Sequence, residues 1–229
     1  MNISTIYQEA LTAQPLFVLL LLLPVVATIV GVAKHVIGVK SLGIYAPIVL
    51  TFAFYFLGLN GTYGNYSDIW TGVRYGLIFL LVVIVGTVLS TRLLKNRRMH
   101  YFPKVSFVLS TVSIFLFSTM LAAQALEKSG FTSINAFALI LIASVAEQFT
   151  AILFKKSLKT ALLLSLETSL ISIFCYLLIA WPSFQQLIVN YPYLILLTLV
   201  VNYLVGKYRG LRVRELLRFQ EILDESGEN

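Results

Sequence analysis

Residues 72–98 read GVRYGLIFLLVVIVGTVLSTRLLKNRR. The apolar run from 73 to 93, about 20 residues, has the length that carries an α-helix across a ~30 Å hydrocarbon core. It closes on Arg92, Lys95, Arg97 and Arg98, a basic cluster of the kind retained on the cytoplasmic side of a membrane. Working outward, the same unit recurs in both directions. Further apolar runs occupy 16–33, 44–59, 105–126, 134–154, 161–181 and 187–205, the run at 44–59 being short. Basic residues fill every second gap between them. Lys34 and Lys40 follow the first run, Lys104 completes the cluster after the third, Lys155, Lys156 and Lys159 follow the fifth, and Lys207, Arg209, Arg212, Arg214 and Arg218 follow the seventh. Of the 17 Lys and Arg residues only Arg74 and Lys128 fall in the other gaps. Backbone groups in lipid must be satisfied within their own segment, so the runs predict helices rather than strands. The expected fold is an all-α polytopic bundle of seven transmembrane helices, amino terminus outside and carboxyl terminus in the cytoplasm.

Composition narrows the function classes. The chain is 59% hydrophobic and 12% charged, which no soluble domain of this length matches. A net charge of +7 would suggest a nucleic-acid partner in a soluble chain. Here the basic residues are the topology signal of short loops, and no nucleic acid is expected. The single cysteine, Cys175, lies inside the sixth run, where it reads as a small apolar filler. Residues 1–14 carry no Lys or Arg, so the first run reads as a retained helix and not a cleaved leader. The expected division is a short external tail at 1–14, a transmembrane domain at 15–206, and a cytoplasmic basic tail at 207–229. In that tail Val213, Leu216, Leu217 and Leu223 form an apolar stripe, and Arg209, Arg212, Arg214 and Arg218 crowd its first half. It predicts a short amphipathic helix docking on anionic lipid or on a partner.

Two segments stand out inside the bundle. GVAKHVIGVKSLGIYAPIVL, residues 31–50, gathers Gly31, Gly38, Gly43 and Pro47 around the first cytoplasmic turn. It reads as a tight turn into a short second helix, or as a broken, re-entrant segment lining a cavity. The fourth run carries Ser106, Ser110, Ser113 and Ser118 near one face, a pattern suited to close helix–helix approach.

Chemical motifs are otherwise missing. No phosphate-binding glycine loop, dinucleotide fingerprint or GxSxG is present, and His35 and His100 lack partners at metal-ligand spacing. No enzyme activity, cofactor or metal is expected. Two acids nevertheless lie within predicted spans, Glu147 in SVAEQFTAILF and Glu167 in LLLSLETSLIS. A carboxylate in lipid must face protein, find a partner or carry a proton. Both lie about 12 Å from the basic edge of their helices, by the helical rise. The fifth and sixth runs form a hairpin, so the acids either share a proton or pair with a loop lysine. Gln148, Thr168 and Asn202 add hydrogen-bonding capacity to this candidate polar site.

The stretches HVIGVKSLGIYAPIVLTFAFYFLGL, ASVAEQF, TALLLSLETSL and VGKYRGLRVRELLRF resemble the bacterial seven-helix membrane domain usually fused to an inactive transglutaminase-like domain. A weaker likeness, through the glycine-rich turn, connects to the small membrane subunit of poly-gamma-glutamate capsule synthesis. The resemblance implies a multi-pass protein of the bacterial inner membrane, encoded beside glutamate-ligase-like ATP-grasp proteins. Its implied partners are a cytoplasmic ATP-grasp ligase and a periplasmic transglutaminase-like protein. The expected function is therefore a non-enzymatic membrane subunit, anchor or conduit, of a glutamate-ligase-type synthesis or export system. Two alternatives stand beside it: a self-contained secondary transporter for a small polar or acidic solute, and a seven-helix sensor.

Overall fold

The computed structural model of this chain describes residues 15–58, 69–94, 100–125 and 136–207. The predicted outer tail at 1–14 and the arginines of the carboxyl-terminal tail, Arg209, Arg212, Arg214 and Arg218, lie outside the described residues. Among the described residues every regular element is helical. In chain order these are α1 (Pro15–Val32), a π-helical turn (Ala33–Ile37), α2 (Tyr45–Gly58), α3 (Ile69–Leu94), α4 (Tyr101–Ala125), α5 (Ala136–Lys155), α6 (Leu158–Ile179), α7 (Pro182–Asn190) and α8 (Leu194–Lys207). The protein is an all-α polytopic membrane protein. Five helices are long and apolar enough to cross a bilayer: α1 with its π-turn, α3, α4, α5 and α6.

The other two membrane segments depart from the simple span. Helix α2 has 14 residues, about 21 Å of rise, short of a ~30 Å hydrocarbon core. Its surroundings explain how this is tolerated. It packs against α3, α5 and α6, and Leu50, Ala53 and Phe54 are completely enclosed. A helix wrapped in protein need not match the thickness of the lipid.

The seventh run is not one helix over 187–205, and this corrects the expectation of a continuous span. Helices α7 and α8 meet at an angle of 99°. The break falls at Tyr191-Pro192-Tyr193, where Pro192 has no N–H to continue the ladder and drives the preceding residue off helical geometry. Tyr191 accordingly sits at φ −125°, ψ 69°. Averaged hydropathy passes over such a break because the residues on both sides are apolar. Helix α8 then packs along α1 and leaves Leu196, Leu199 and Leu204 exposed toward the bilayer.

Apart from Arg74 near the start of α3, the basic residues of the described helices collect at one end of the bundle, called here the basic end. Lys104 of α4 lies over the ring of Phe154 on α5 at 5.3 Å, and Tyr101 meets the same ring edge-on at 6.4 Å. At the opposite end the ring of Phe56 of α2 meets Phe137 at the start of α5, 5.1 Å away and edge-on. Antiparallel packing of α5 against α4 and against α2 produces both sets of contacts.

Candidate functional site

The segment between α1 and α2 is where the chain leaves regular structure inside the bundle. Helix α1 widens into the π-turn, and the amides of Gly38 and Val39 both donate to the carbonyl of Ala33, at 3.1 and 3.2 Å. Gly38 closes the turn in the left-handed conformation, φ 87°, where a side chain is disfavoured. Gly43, at φ 147°, makes the second bend. Between them the backbone is not helical and would have orphaned N–H groups, which are costly where water is scarce.

Helix α6 supplies the partners. The Lys40 amide donates to Glu167 Oε2 at 2.6 Å, and the Leu42 amide donates to Thr168 Oγ1 at 3.0 Å. The Ser41 hydroxyl donates to the Gly43 carbonyl at 2.6 Å. One turn further along α6, Ser172 donates to the Pro47 carbonyl at 3.0 Å. Thr51 of α2 donates to the same carbonyl at 2.7 Å. From α5, Gln148 Oε1 faces Gly43 so closely that a Cβ there would stand 3.2 Å from it. The side chains of Thr168, Ser172 and Tyr176 recur every four residues along one buried stripe of α6. At the far end of that stripe Tyr176 donates to the Ile69 carbonyl at 2.9 Å.

The candidate residues named from sequence thus divide. Glu167, Thr168, Gln148, Gly38, Gly43 and Pro47 come together around one turn. Pro47 is the third residue of α2, where a missing N–H costs nothing, and its carbonyl is the shared acceptor of Ser172 and Thr51. Gly31 belongs to α1 instead, and a Cβ there would meet only Asn202 Oδ1 at an ordinary 3.6 Å. Asn202 holds α8 to α1 by donating to Thr28 Oγ1 at 2.9 Å. Glu147 lies on the exposed face of α5, and Glu167 accepts from the Lys40 amide. Ser106, Ser110, Ser113 and Ser118 are exposed. No helix among the described residues covers their face, and Ser110, Ser113 and Ser118 each donate to the carbonyl four residues back. Ser172, Thr51 and Tyr176 were not singled out from the sequence. The four-residue spacing of Thr168, Ser172 and Tyr176 is the signal that marks them.

Beside the turn, α1 and α6 part to form a cavity of about 540 Å³. Ile29, Val32, Ile171 and Phe174 are among its walls, and Glu167 and Thr28 are its polar residues. Among the described residues no group of His, Cys, Asp and Glu is placed to hold a metal ion.

The arrangement of apolar helices around a clamped turn fits one result of comparison with known proteins. The family of seven transmembrane helices usually fused to an inactive transglutaminase matches residues 1–223, nearly the whole chain. This chain belongs to that family. No curated protein and no solved structure matches it. Among the described residues this chain has five full-length spans, six if the bent pair of α7 and α8 counts as one, and the shorter apolar helix α2.

Proposed function

We propose that this member of the family is a non-enzymatic subunit of the bacterial inner membrane, an anchor or conduit for an ATP-grasp ligase that builds an amide-linked, glutamate-type product. The observation that carries the non-enzymatic part is the use made of the interior polar side chains. Glu167, Thr168, Ser172, Thr51 and Tyr176 each take a backbone group of this same chain as partner. Their hydrogen bonds support a turn and two helices, as expected of a scaffold. The family's usual fusion to an inactive domain supports the same reading. The ligase partnership rests on the sequence resemblance to the capsule and transglutaminase-linked membrane proteins.

The test is affinity purification of the tagged full chain from native membranes, followed by mass spectrometry. An ATP-grasp ligase enriched with the chain is expected, and the enrichment falls when Arg212, Arg214 and Arg218 are changed to Gln. Solute uptake by the chain alone in liposomes, without any ligase copurifying, would overturn this reading in favour of a transporter.

The transporter reading draws on one feature, the interruption of the chain at 38–44 and again at 191–193. Broken helices line substrate sites in many transporters. The cavity beside the first interruption, however, offers a polar solute little beyond Glu167, because the Thr28 hydroxyl already donates to the Pro24 carbonyl at 2.8 Å and accepts from Asn202.

A further inference from the structure

Helix α7 carries a polarity pattern that packing within the bundle does not use. Its nine residues include no charged side chain. Phe184 and Ile188, one turn apart, face the bundle: Ile188 is buried and Phe184 packs against the core. Gln185 beside them donates to the Tyr55 hydroxyl of α2 at 3.3 Å and to the Ile179 carbonyl at 2.6 Å. At about 3.6 residues per turn, Ser183, Gln186 and Asn190 fall on the opposite side of the helix, and all three are exposed. Leu187 lies on the flank between the two faces, 45% exposed.

The direction of α7 is set by its neighbours. Helix α6 crosses away from the basic end, since Tyr176 near its far end bonds Ile69 at the start of α3, and Arg92 stands in the last turn of α3. Helix α7 follows at that far end. It meets α8, which runs along the span α1, at 99°. A helix at a right angle to a crossing helix lies in the plane of the membrane. Aromatic residues mark its two ends: Trp181 before it, and Tyr191 and Tyr193 after it, are 62%, 49% and 61% exposed. Rings with an apolar body and a polar tip settle at the level of the lipid head groups. Pro182 in the first turn and Pro192 beyond the last set the two corners.

We infer that α7 is an in-plane helix seated in the lipid head-group layer at the end opposite the basic end. Trp181, Leu187 and Tyr191 reach toward the acyl chains, and the stripe of Ser183, Gln186 and Asn190 faces water. The partner of this surface is the bilayer itself. With no charge on it, the seat depends on apolar area and ring polarity and not on anionic lipid. A basic tail of the kind that follows α8 in the sequence depends on lipid charge instead. This inference is independent of the ligase partnership, and its test uses no ligase.

Trp70 and Trp181 are the two tryptophans of the chain, so Trp70→Phe leaves Trp181 as the reporter. The full chain with this change is reconstituted in phosphatidylcholine vesicles that hold a lipid nitroxide either near the head group or near the chain end. The nitroxide near the head group should quench Trp181 fluorescence about twofold more than the one at the chain end. The ratio should stay the same when phosphatidylglycerol is added. Single cysteines, in a chain carrying Cys175→Ala, give a second readout. Gln186→Cys should react with a water-soluble maleimide roughly tenfold faster than Leu187→Cys, because the reactive thiolate forms where water reaches it. Stronger quenching by the chain-end nitroxide would overturn the in-plane seat in favour of a re-entrant helix. Absence of quenching by either would place α7 clear of lipid and overturn it as well. Quenching that grows with phosphatidylglycerol would overturn the uncharged seat, and equal labelling at positions 186 and 187 would overturn the assigned faces.

Discussion

At the Tyr176 end of α6 the contacts are tight, uncharged and closed, whereas at the Glu167 end they are polar, charged and open on one side to a cavity. The Tyr176 hydroxyl fits between two glycines. A Cβ at Gly58 or at Gly72 would stand 2.5 Å from it, and a Cβ at Gly72 also 2.6 Å from the Phe54 carbonyl. Phe54 meets the Tyr176 ring edge-on at 6.3 Å and lies over Gly76, leaving that position no room for a side chain. Close approach through glycine is how membrane helices gain packing without a hydrophobic driving force. At the other end, the same helix holds a non-helical segment of backbone by two side-chain acceptors, Glu167 and Thr168. A packed joint can only be kept or broken. A joint made of a few hydrogen bonds beside a cavity can respond to what enters the cavity. The comparison places the closest packing at the Tyr176 end and the side-chain hydrogen bonds to a non-helical turn at the Glu167 end.

The strongest way to break this contrast is Gly72→Ala. The new methyl meets both the Tyr176 hydroxyl and the backbone of α2, so the helices must separate. We expect a loss of about 3 kcal/mol, the upper part of the range for overpacking, read as a large drop in the unfolding temperature of the protein in detergent. A drop of only a degree or two would show that the Tyr176 joint is slack.

A smaller effect is expected from Thr168→Val. It keeps the shape of the side chain but leaves the buried Leu42 amide without its acceptor, at a cost of about 1–2 kcal/mol. Its diagnostic is location: amide exchange should rise in residues 38–44 and stay unchanged in residues 69–80. Equal acceleration in both segments would mean that the two ends of α6 act as one unit, contrary to the contrast drawn here.

The smallest effect tests a region outside both ends. The hydroxyls of Thr87 and Ser90 on α3 are buried without a hydrogen-bond partner among the described residues. Thr87→Val removes an unsatisfied group at constant shape, so stability should stay within about 0.5 kcal/mol of wild type or rise. A clear loss of stability would reveal that this hydroxyl has a partner and that a third polar joint exists.

Most of the candidate site was legible in the sequence as separate pieces. Glu167 stood out because an acid inside a membrane span needs a reason, and Gly38, Gly43 and Pro47 stood out because they cluster at a turn. The depth of Glu167 along α6 follows from helical rise alone. The partner of Glu167 did not follow. A hairpin of adjacent helices suggested Glu147 or the lysines at 155–159, and gave no hint of the bond that Oε2 accepts from the amide of Lys40, 127 residues away in the chain. That donor belongs to the backbone, and a backbone N–H leaves no trace in the identity of its residue. Glu147 has the same local signature as Glu167 yet faces outward, because the rotation of α5 in the bundle is set by its neighbours.

The sequence by itself determined that this chain is a helical membrane protein. Runs of apolar residues at membrane length and the alternation of basic gaps are local properties, and lipid permits only one backbone solution for them. The tertiary structure decided which runs stay whole and which polar residues meet. Helix α2 can be short because protein surrounds it, the seventh run bends where Pro192 removes an N–H, and a carboxylate on α6 completes a turn between α1 and α2. Each of these depends on what stands next to a residue in space, and long-range contacts between helices that look alike in composition are not encoded in hydropathy or spacing.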